Sequence, residues 1–496
     1  MSTPVEFPAS FVRPWLELLR SHQSEQQQDF PNRHVAHPES LITTSIPKSL
    51  DLGTGLSIFT RAILPAILSA THSVHFVTCY WAASPTLDAL RETLWQLASS
   101  RKHRTAGAPK LRITIGFSSS GLLQKLFHTS SRAGHIYPPA QWRKLGLPDE
   151  SSLRDGGIEL TVKSLFFTPL SVIHPKYVIV DEARAFVPSC NVSWERWFEG
   201  CIELEGEAVS TMLSLHAAVW EIGSRSRSLP NANINNNAAT GGNFQSRHSA
   251  TEGDGEVLES ITSCTALSDG PYGRGLSTTQ SIKIAFPHPV PTIFLPSSHH
   301  RNPRFTFFPF LSRSRPPMTP LNGALLTLFA NAQSDIAILT PNMTSWPVLD
   351  ALLDALDRGV NVQIRTSKNM MLIEQLITAG TTTSRCLGHL VKKYRQRQRQ
   401  RQRSDLEAQA ASLGRLEILY YKPLDGRGDE PVFSHFKMTS VDHDYLVLGS
   451  GNMDRASWWT SQELGVLLYV PGFAASKMCD SVLNMRTELY FTSAGY

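Results

Sequence analysis

The sequence holds little that would commit it to an oxidising compartment, a bound metal or a membrane span. Its six cysteines (Cys79, Cys190, Cys201, Cys264, Cys386 and Cys479) form no CxxC pair and no His/Cys cluster at zinc spacing. That scatter suits a reducing, intracellular setting and gives no reason to expect a metal or any other cofactor. Residues 1–19 show no basic start followed by an apolar run, so no secretory signal is expected. The best apolar stretch, residues 58–70, carries Arg61 and Pro65 and falls far short of the roughly 20 residues a spanning helix needs. Peripheral contact with a membrane stays open. Charge is modest too: a formal net charge of +5 permits an anionic partner without demanding one.

What is present describes a globular chain in two parts. Hydrophobic residues make up 41% and charged residues 18%, and 496 residues exceed one ordinary core. Residues 73–80 alternate and are rich in β-formers, Pro85 opens a helix over 86–94, and a second strand follows at 111–117. The same order returns at 334–340, 347–356 and 360–365, and the tetrapeptide Leu-Asp-Ala-Leu at 87–90 recurs at 349–352. A register held from strand to helix to strand is the mark of an internal duplication. Alternating strands and helices predict an α/β fold: two pseudo-symmetric lobes, each a mixed or mostly parallel sheet flanked by helices.

The expected boundaries are an N-terminal extension over 1–49, a first lobe over 50–222, and a second lobe over 321–496. Between the lobes, residues 223–275 are rich in Gly, Asn and Ser and read as a low-complexity linker. Residues 276–320 form a connecting segment with an aromatic and basic loop, Phe305, Phe307, Phe308 and Phe310 among Arg301, Arg304, Arg313 and Arg315. Such a loop suits a lipid interface or a surface tuck against the second lobe. The run 392–403 carries seven positive charges and reads as a basic helix, either solvated or facing an anionic surface.

The residues with the clearest chemistry occur twice. His174 and Lys176 are followed after four residues by Asp181; His435 and Lys437 are followed after four by Asp442. Two positions apart on an extended segment, an imidazole and an ammonium face the same way and can meet one phosphate. Downstream of each pair stand Ser189 and Asn191, then Ser450 and Asn452, which add hydroxyl and amide donors for phosphate oxygens. Farther on, Glu203 and Glu463 each precede a short apolar run, where a carboxylate could hold the far ring nitrogen of a histidine.

This pattern, HxK-x4-D-x6-(G)S-x-N in two copies, resembles the signature of the phospholipase D superfamily, the HKD phosphodiesterases and phosphatidyltransferases, in its duplicated single-chain form. The resemblance is to phospholipases D and cardiolipin synthases, and covers roughly residues 50–223 and 321–490. Pro188 departs from it, standing where the pattern has glycine. The resemblance implies a covalent phosphohistidine, with His174 as nucleophile and His435 as acid and base, Lys176, Lys437 and the Ser/Asn pairs holding phosphate oxygens, and Asp181 and Asp442 supporting the basic residues. It implies a phospholipid substrate and a monomer that is its own pseudo-dimer. Nucleic acid is the alternative substrate; a non-catalytic membrane-binding scaffold is the third reading.

Overall fold

In the computed structural model, residues 5–103, 109–121, 124, 131–167, 171–222, 278–298, 315–404, 412–424, 430–473 and 475–493 are described. The expected linker and most of the aromatic loop, from 299 to 314, lie outside them.

The first half contributes strands β1 (Ile42–Gly53), β2 (Ser73–Tyr80), β3 (Leu111–Ser119), β4 (Ile158–Ser164), β5 (Tyr177–Val180), β6 (Arg184–Pro188) and β7 (Trp197–Glu205). Their pairings give the order β4-β3-β2-β5-β6-β7-β1, parallel among β4, β3 and β2 and antiparallel from there on. The second half contributes β8 (Val290–Ser297), β9 (Asp335–Thr340), β10 (Asn361–Thr366), β11 (Leu416–Tyr421), β12 (Met438–Val441), β13 (Tyr445–Gly449), β14 (Glu463–Tyr469) and β15 (Thr487–Thr492). The order β11-β10-β9-β12-β13-β14-β8 repeats the first lobe strand for strand, with β15 added beside β11. The fold is therefore α/β, with mixed sheets flanked by helices, as the alternation of elements predicts.

One strand welds the halves together. The start of β1, Ile42–Ser45, pairs with β8 of the second sheet, while Ile46–Gly53 pairs with β7 of the first. β1 thus runs across the boundary expected at residue 49, and β8 lies within the stretch expected to be only a connector. The spacing of the repeat conceals this, because β1 precedes the first strand of its lobe's repeat by only a short stretch while its counterpart β8 lies far ahead of β9. Helix α1 (Ala9–Ser21) is likewise tied to the second lobe: Phe11, Trp15 and Leu19 are buried, and the Trp15 indole donates to the carbonyl of Pro320 at 3.2 Å. One apolar core runs through both lobes, from Leu50 and Val77 to Phe294, Leu352 and Leu467.

Helices α2 (Pro85–Ser100) and α3 (Glu207–Trp220) belong to the first lobe; α4 (Pro320–Asn331), α5 (Trp346–Asp357), α6 (Leu372–Ala379), α7 (Thr383–Ser404) and α8 (Arg455–Trp459) belong to the second. α2 starts as its sequence dictates, with Ser84 accepting from the Leu87 amide and Pro85 in the first turn. The arginine run lies on α7, which ends at Ser404. Arg397 and Arg401 are tethered to Asp357 on α5, so part of the basic face is internal bracing rather than free charge.

Candidate active site

Both HxK segments enter the seam between the lobes, just ahead of β5 and β12. The crossing is symmetric. Nδ1 of His174, in the first lobe, donates to Glu463 of the second at 2.8 Å; Nδ1 of His435, in the second, donates to Glu199 of the first at 2.8 Å. Backbone ties hold the segments there: His174 N donates to Gln462 O at 2.9 Å, and His435 N to Phe198 O at 2.9 Å.

Each serine buttresses its own lobe's glutamate. Ser189 Oγ donates to Glu199 and accepts from the Gly200 amide at 3.0 Å. Ser450 Oγ donates to Glu463 at 2.5 Å and accepts from the Leu464 amide at 3.0 Å. Pro188 does not disturb this geometry, since Ser189 N still donates to Gly200 O at 2.8 Å, matching Ser450 N on Leu464 O. The second lobe does need its glycine: Gly449 has φ +146°, and a Cβ there would lie 2.2 Å from the Leu464 carbonyl oxygen.

The lysines are almost wholly enclosed. Lys176 is 1% exposed and Lys437 4%. Each ammonium bonds its own histidine's carbonyl, Lys176 at 2.8 Å and Lys437 at 2.7 Å, and Lys437 also meets His435 Nε2 at 2.8 Å. Burial lowers the pKa of Lys437 to about 7, with Glu199 pulling upward and Lys176, from the other lobe, pushing down. His435 is lowered to about 3, by burial first, against Glu199 and with both lysines. His174 is also lowered, again by burial before the lysine charges, and Glu463 opposes. Burial alone would raise Glu199, but His435, Lys437 and Ser189 bring it below the ordinary value. Each lobe's lysine is felt by the other lobe's histidine, so the charges of the two motifs act on one another across the seam.

Four expectations from the sequence are corrected. Glu203 does not orient a histidine: it accepts from Arg184 Nε at 2.7 Å. Glu199, on the same face of β7 but four residues nearer the seam, takes that place, roughly 13 Å along the strand. The misassignment follows from unequal spacing, because α8 lengthens the path from Asn452 to Glu463 and nothing equivalent separates Asn191 from Glu199. Asp181 and Asp442 do not touch the basic residues. Asp181 accepts from the amides of Thr71, His72 and Ser73, at 2.8–3.0 Å for the nearest oxygens, and Asp442 from those of Gln333, Ser334 and Asp335.

Both aspartates sit in tight turns between hairpin strands. Asp181 and Glu182 have φ 52° and 57°, and Asp442 and His443 have φ 54° and 61°; Ala183 N donates to Val180 O and Asp444 N to Val441 O. Paired positive φ is the mark of a type I′ turn, where Asp is tolerated and can cap nearby amides. The serine hydroxyls are committed to carboxylates rather than open to a phosphate. Asn452 is engaged too, its Nδ2 donating to Asp454 at 2.9 Å. Of the four expected donors, Asn191 alone has its carbonyl anchored, on Tyr80 N at 3.1 Å, and its NH2 uncommitted among the described residues.

Two further residues adjoin the site. The Trp197 ring centroid lies 4.7 Å from that of His435. Asp454 is buried and pushed up by burial, within electrostatic reach of Glu463 and His174. Glu199 is found through the ladder: it lies beside Gly200, whose amide and carbonyl meet Ser189, as Glu463 lies beside Leu464, which meets Ser450 in the same way.

A duplicated α/β fold thus carries crossed His–Glu pairs and two lysines at its seam, and its second lobe is similar to a known family. Residues 325–481 match the family model described as "Cardiolipin synthase, PLD-like domain". Phosphatidylserine synthase from Haemophilus influenzae Rd KW20 is a structural relative across 92% of this chain and 91% of its own, at 13% identity and a TM-score of 0.50, which supports the two-lobed fold. The phospholipase D family member Nuc from Salmonella typhimurium aligns over 34% of this chain and 88% of its own, at 16% identity and a TM-score of 0.24. No curated protein is significantly similar in sequence.

Proposed function

We propose that the protein cleaves or exchanges a phosphodiester bond of a phospholipid through a phosphohistidine. The observation that carries this reading is the crossed pair of histidines, each with Nδ1 fixed on a carboxylate of the opposite lobe and a buried lysine beside it. A carboxylate on Nδ1 fixes the tautomer, leaving Nε2 for the reacting centre.

His174 is the better nucleophile. Its side chain is 14% exposed against 3% for His435, and its Nε2 has no hydrogen-bond partner among the described residues. Nε2 attacks phosphorus, the bond to the leaving alcohol breaks, and His435 delivers a proton to that oxygen. His435 then takes a proton from water or an acceptor alcohol, whose oxygen attacks phosphorus and returns His174. Lys176, Lys437 and the Asn191 amide lie ready for the non-bridging oxygens, where fixed donors count most in a dry site. His435 is neutral in the empty site, and an anionic substrate offsetting the lysine charges raises its proton affinity.

Lipid rather than nucleic acid is supported by the rim. Helix α6 exposes Leu372, Ile373 (75%), Leu376 and Ile377 (57%), and Trp194 and Trp346 are exposed as well. α6 packs beside α8, and Ser367, shortly before it, donates to the carbonyl of Ser434, the neighbour of His435. Trp194 stands three residues beyond Asn191. Apolar and aromatic side chains around a phosphate site suit acyl chains and an interface, whereas a nucleic-acid backbone calls for cations there. The family description and the phosphatidylserine synthase relative support the same choice. No helix among the described residues is long and apolar enough to cross a membrane.

The test is to incubate the full chain with labelled phosphatidylglycerol vesicles, phosphatidylcholine vesicles and single-stranded DNA, with and without added glycerol. Headgroup release or exchange from lipid alone is the expected result. Cleavage of DNA with lipid untouched would replace the lipid by a nucleic acid, and no turnover of any of them would leave a binding scaffold.

A further inference from the structure

Outside the set of residues placed at the phosphate site, three potential ligands converge near Tyr177. His75 on β2, His216 on α3 and Glu221 just past the end of α3 each place one donor atom within 4.8 Å of the others. The two imidazole rings lie 4.6 Å apart at 60°. His216 is 1% exposed, its Nδ1 bonds the Tyr177 hydroxyl at 3.0 Å, and its Nε2 is buried with no hydrogen-bond partner among the described residues. A buried polar nitrogen without a partner costs on the order of 1–3 kcal/mol, so its presence calls for an occupant. Nδ1 of His75 bonds Thr114 Oγ1 at 3.0 Å, leaving the far nitrogen for a ligand.

We propose that His75, His216 and Glu221 bind one borderline divalent transition-metal ion of the Zn2+ type, as a structural site separate from the reaction centre. Two imidazoles and a carboxylate are an ordinary zinc donor set, with a fourth position for water. Bonds of about 2.0–2.1 Å place tetrahedral ligand atoms roughly 3.4 Å apart. Binding would draw the three atoms in from within 4.8 Å to that spacing, with His75 and Glu221 only half-buried. Burial keeps both imidazoles neutral near pH 7, the form that coordinates. The Tyr177 hydroxyl and Thr114 supply the outer hydrogen bonds that orient metal-bound histidines. Lys163 fixes the end of α3 by donating to the carbonyls of Trp220 and Ile222, both at 3.0 Å; its charge, acting on His216, and that of Arg112, acting on His75, oppose a cation. The ion would clamp α3 to β2 and, through Tyr177, steady the residue that follows Lys176.

The experiment strips the full chain with a chelator, dialyses it against Zn2+ and measures bound metal, then repeats the loading with Co2+ and reads the visible bands of a tetrahedral ion. One ion per chain and a raised Tm on loading are expected. Glu221→Gln and His75→Asn, both at half-buried positions, should each lose tenfold or more in affinity, and Tyr177→Phe roughly tenfold. His174→Ala should load like the parent. Failure of the parent chain to hold zinc, unchanged loading in both Glu221→Gln and His75→Asn, or loss of loading in His174→Ala would overturn the proposal.

Discussion

Replacing Glu199 by glutamine tests the reasoning where sequence and structure part company. The amide keeps the shape of the carboxylate and leaves Gly200 and Ser189 in place, but it cannot stabilise an imidazolium on His435 and can present an NH2 to Nδ1, forcing the wrong tautomer. His435 and Glu199 are both buried, with side chains 3% and 4% exposed, so water does not make good the loss. Removing the carboxylate behind a catalytic histidine in a serine protease costs about 10⁴ in kcat, on the order of 5 kcal/mol of transition-state stabilisation. A fall of 10³–10⁴ is expected here. Glu203→Gln touches only a pair with Arg184 that makes no contact with either histidine, and should change turnover by less than about twofold whatever it does to stability. The assay is the initial rate of headgroup release from labelled phosphatidylglycerol, with a thermal melt to show that both variants fold. An active Glu199→Gln beside an inactive Glu203→Gln would refute the crossed arrangement.

Three other outcomes are expected. Asp442→Ala, which strips the acceptor from three backbone amides, should lower stability by about 1–3 kcal/mol in denaturant titration while refolded protein keeps most of its turnover. Acid should destabilise the chain early: His34 is lowered to about 4 by burial and both its ring nitrogens lack partners among the described residues, so the unfolded chain takes up protons below pH 6.5 that the folded one refuses. The stability present above pH 6.5 is then lost down to about pH 4, roughly 3 kcal/mol from this residue, and a His34→Phe chain should show a flatter Tm-versus-pH curve over that window. Ile373→Glu with Ile377→Glu should cut activity on vesicles tenfold or more and leave a soluble short-chain substrate nearly unaffected, because both side chains are largely exposed and each buried isoleucine is worth about 1.5–3 kcal/mol at an interface.

The duplication was readable because each lobe repeats its strand and helix order with the apolar pattern intact, and the two sheets follow it strand for strand. The HxK pairs were readable because parity on an extended segment needs no knowledge of the partner lobe. The carboxylates were harder. A spacing rule placed Glu203 opposite Glu463, and only the hydrogen-bonded ladder shows that Ser189 faces Glu199. The aspartates misled for a simpler reason: five residues of strand carry Asp181 about 16 Å from Lys176, too far to support it. Their role is set by two residues of positive φ, which no spacing pattern announces. The serines were read as open donors because nothing in sequence shows a buried carboxylate across the ladder claiming their protons. β1 was hidden in what looked like an N-terminal extension, since its partners lie in both lobes.

The exchange of carboxylates across the seam gives the molecule an interlock. A lobe that folds perfectly by itself still has a histidine with nothing behind it, and one that docks askew deprives both histidines together. Under the proposed function, neither lobe alone would hold a histidine in the tautomer that turnover needs. Faithful assembly of the seam becomes the switch that turns chemistry on.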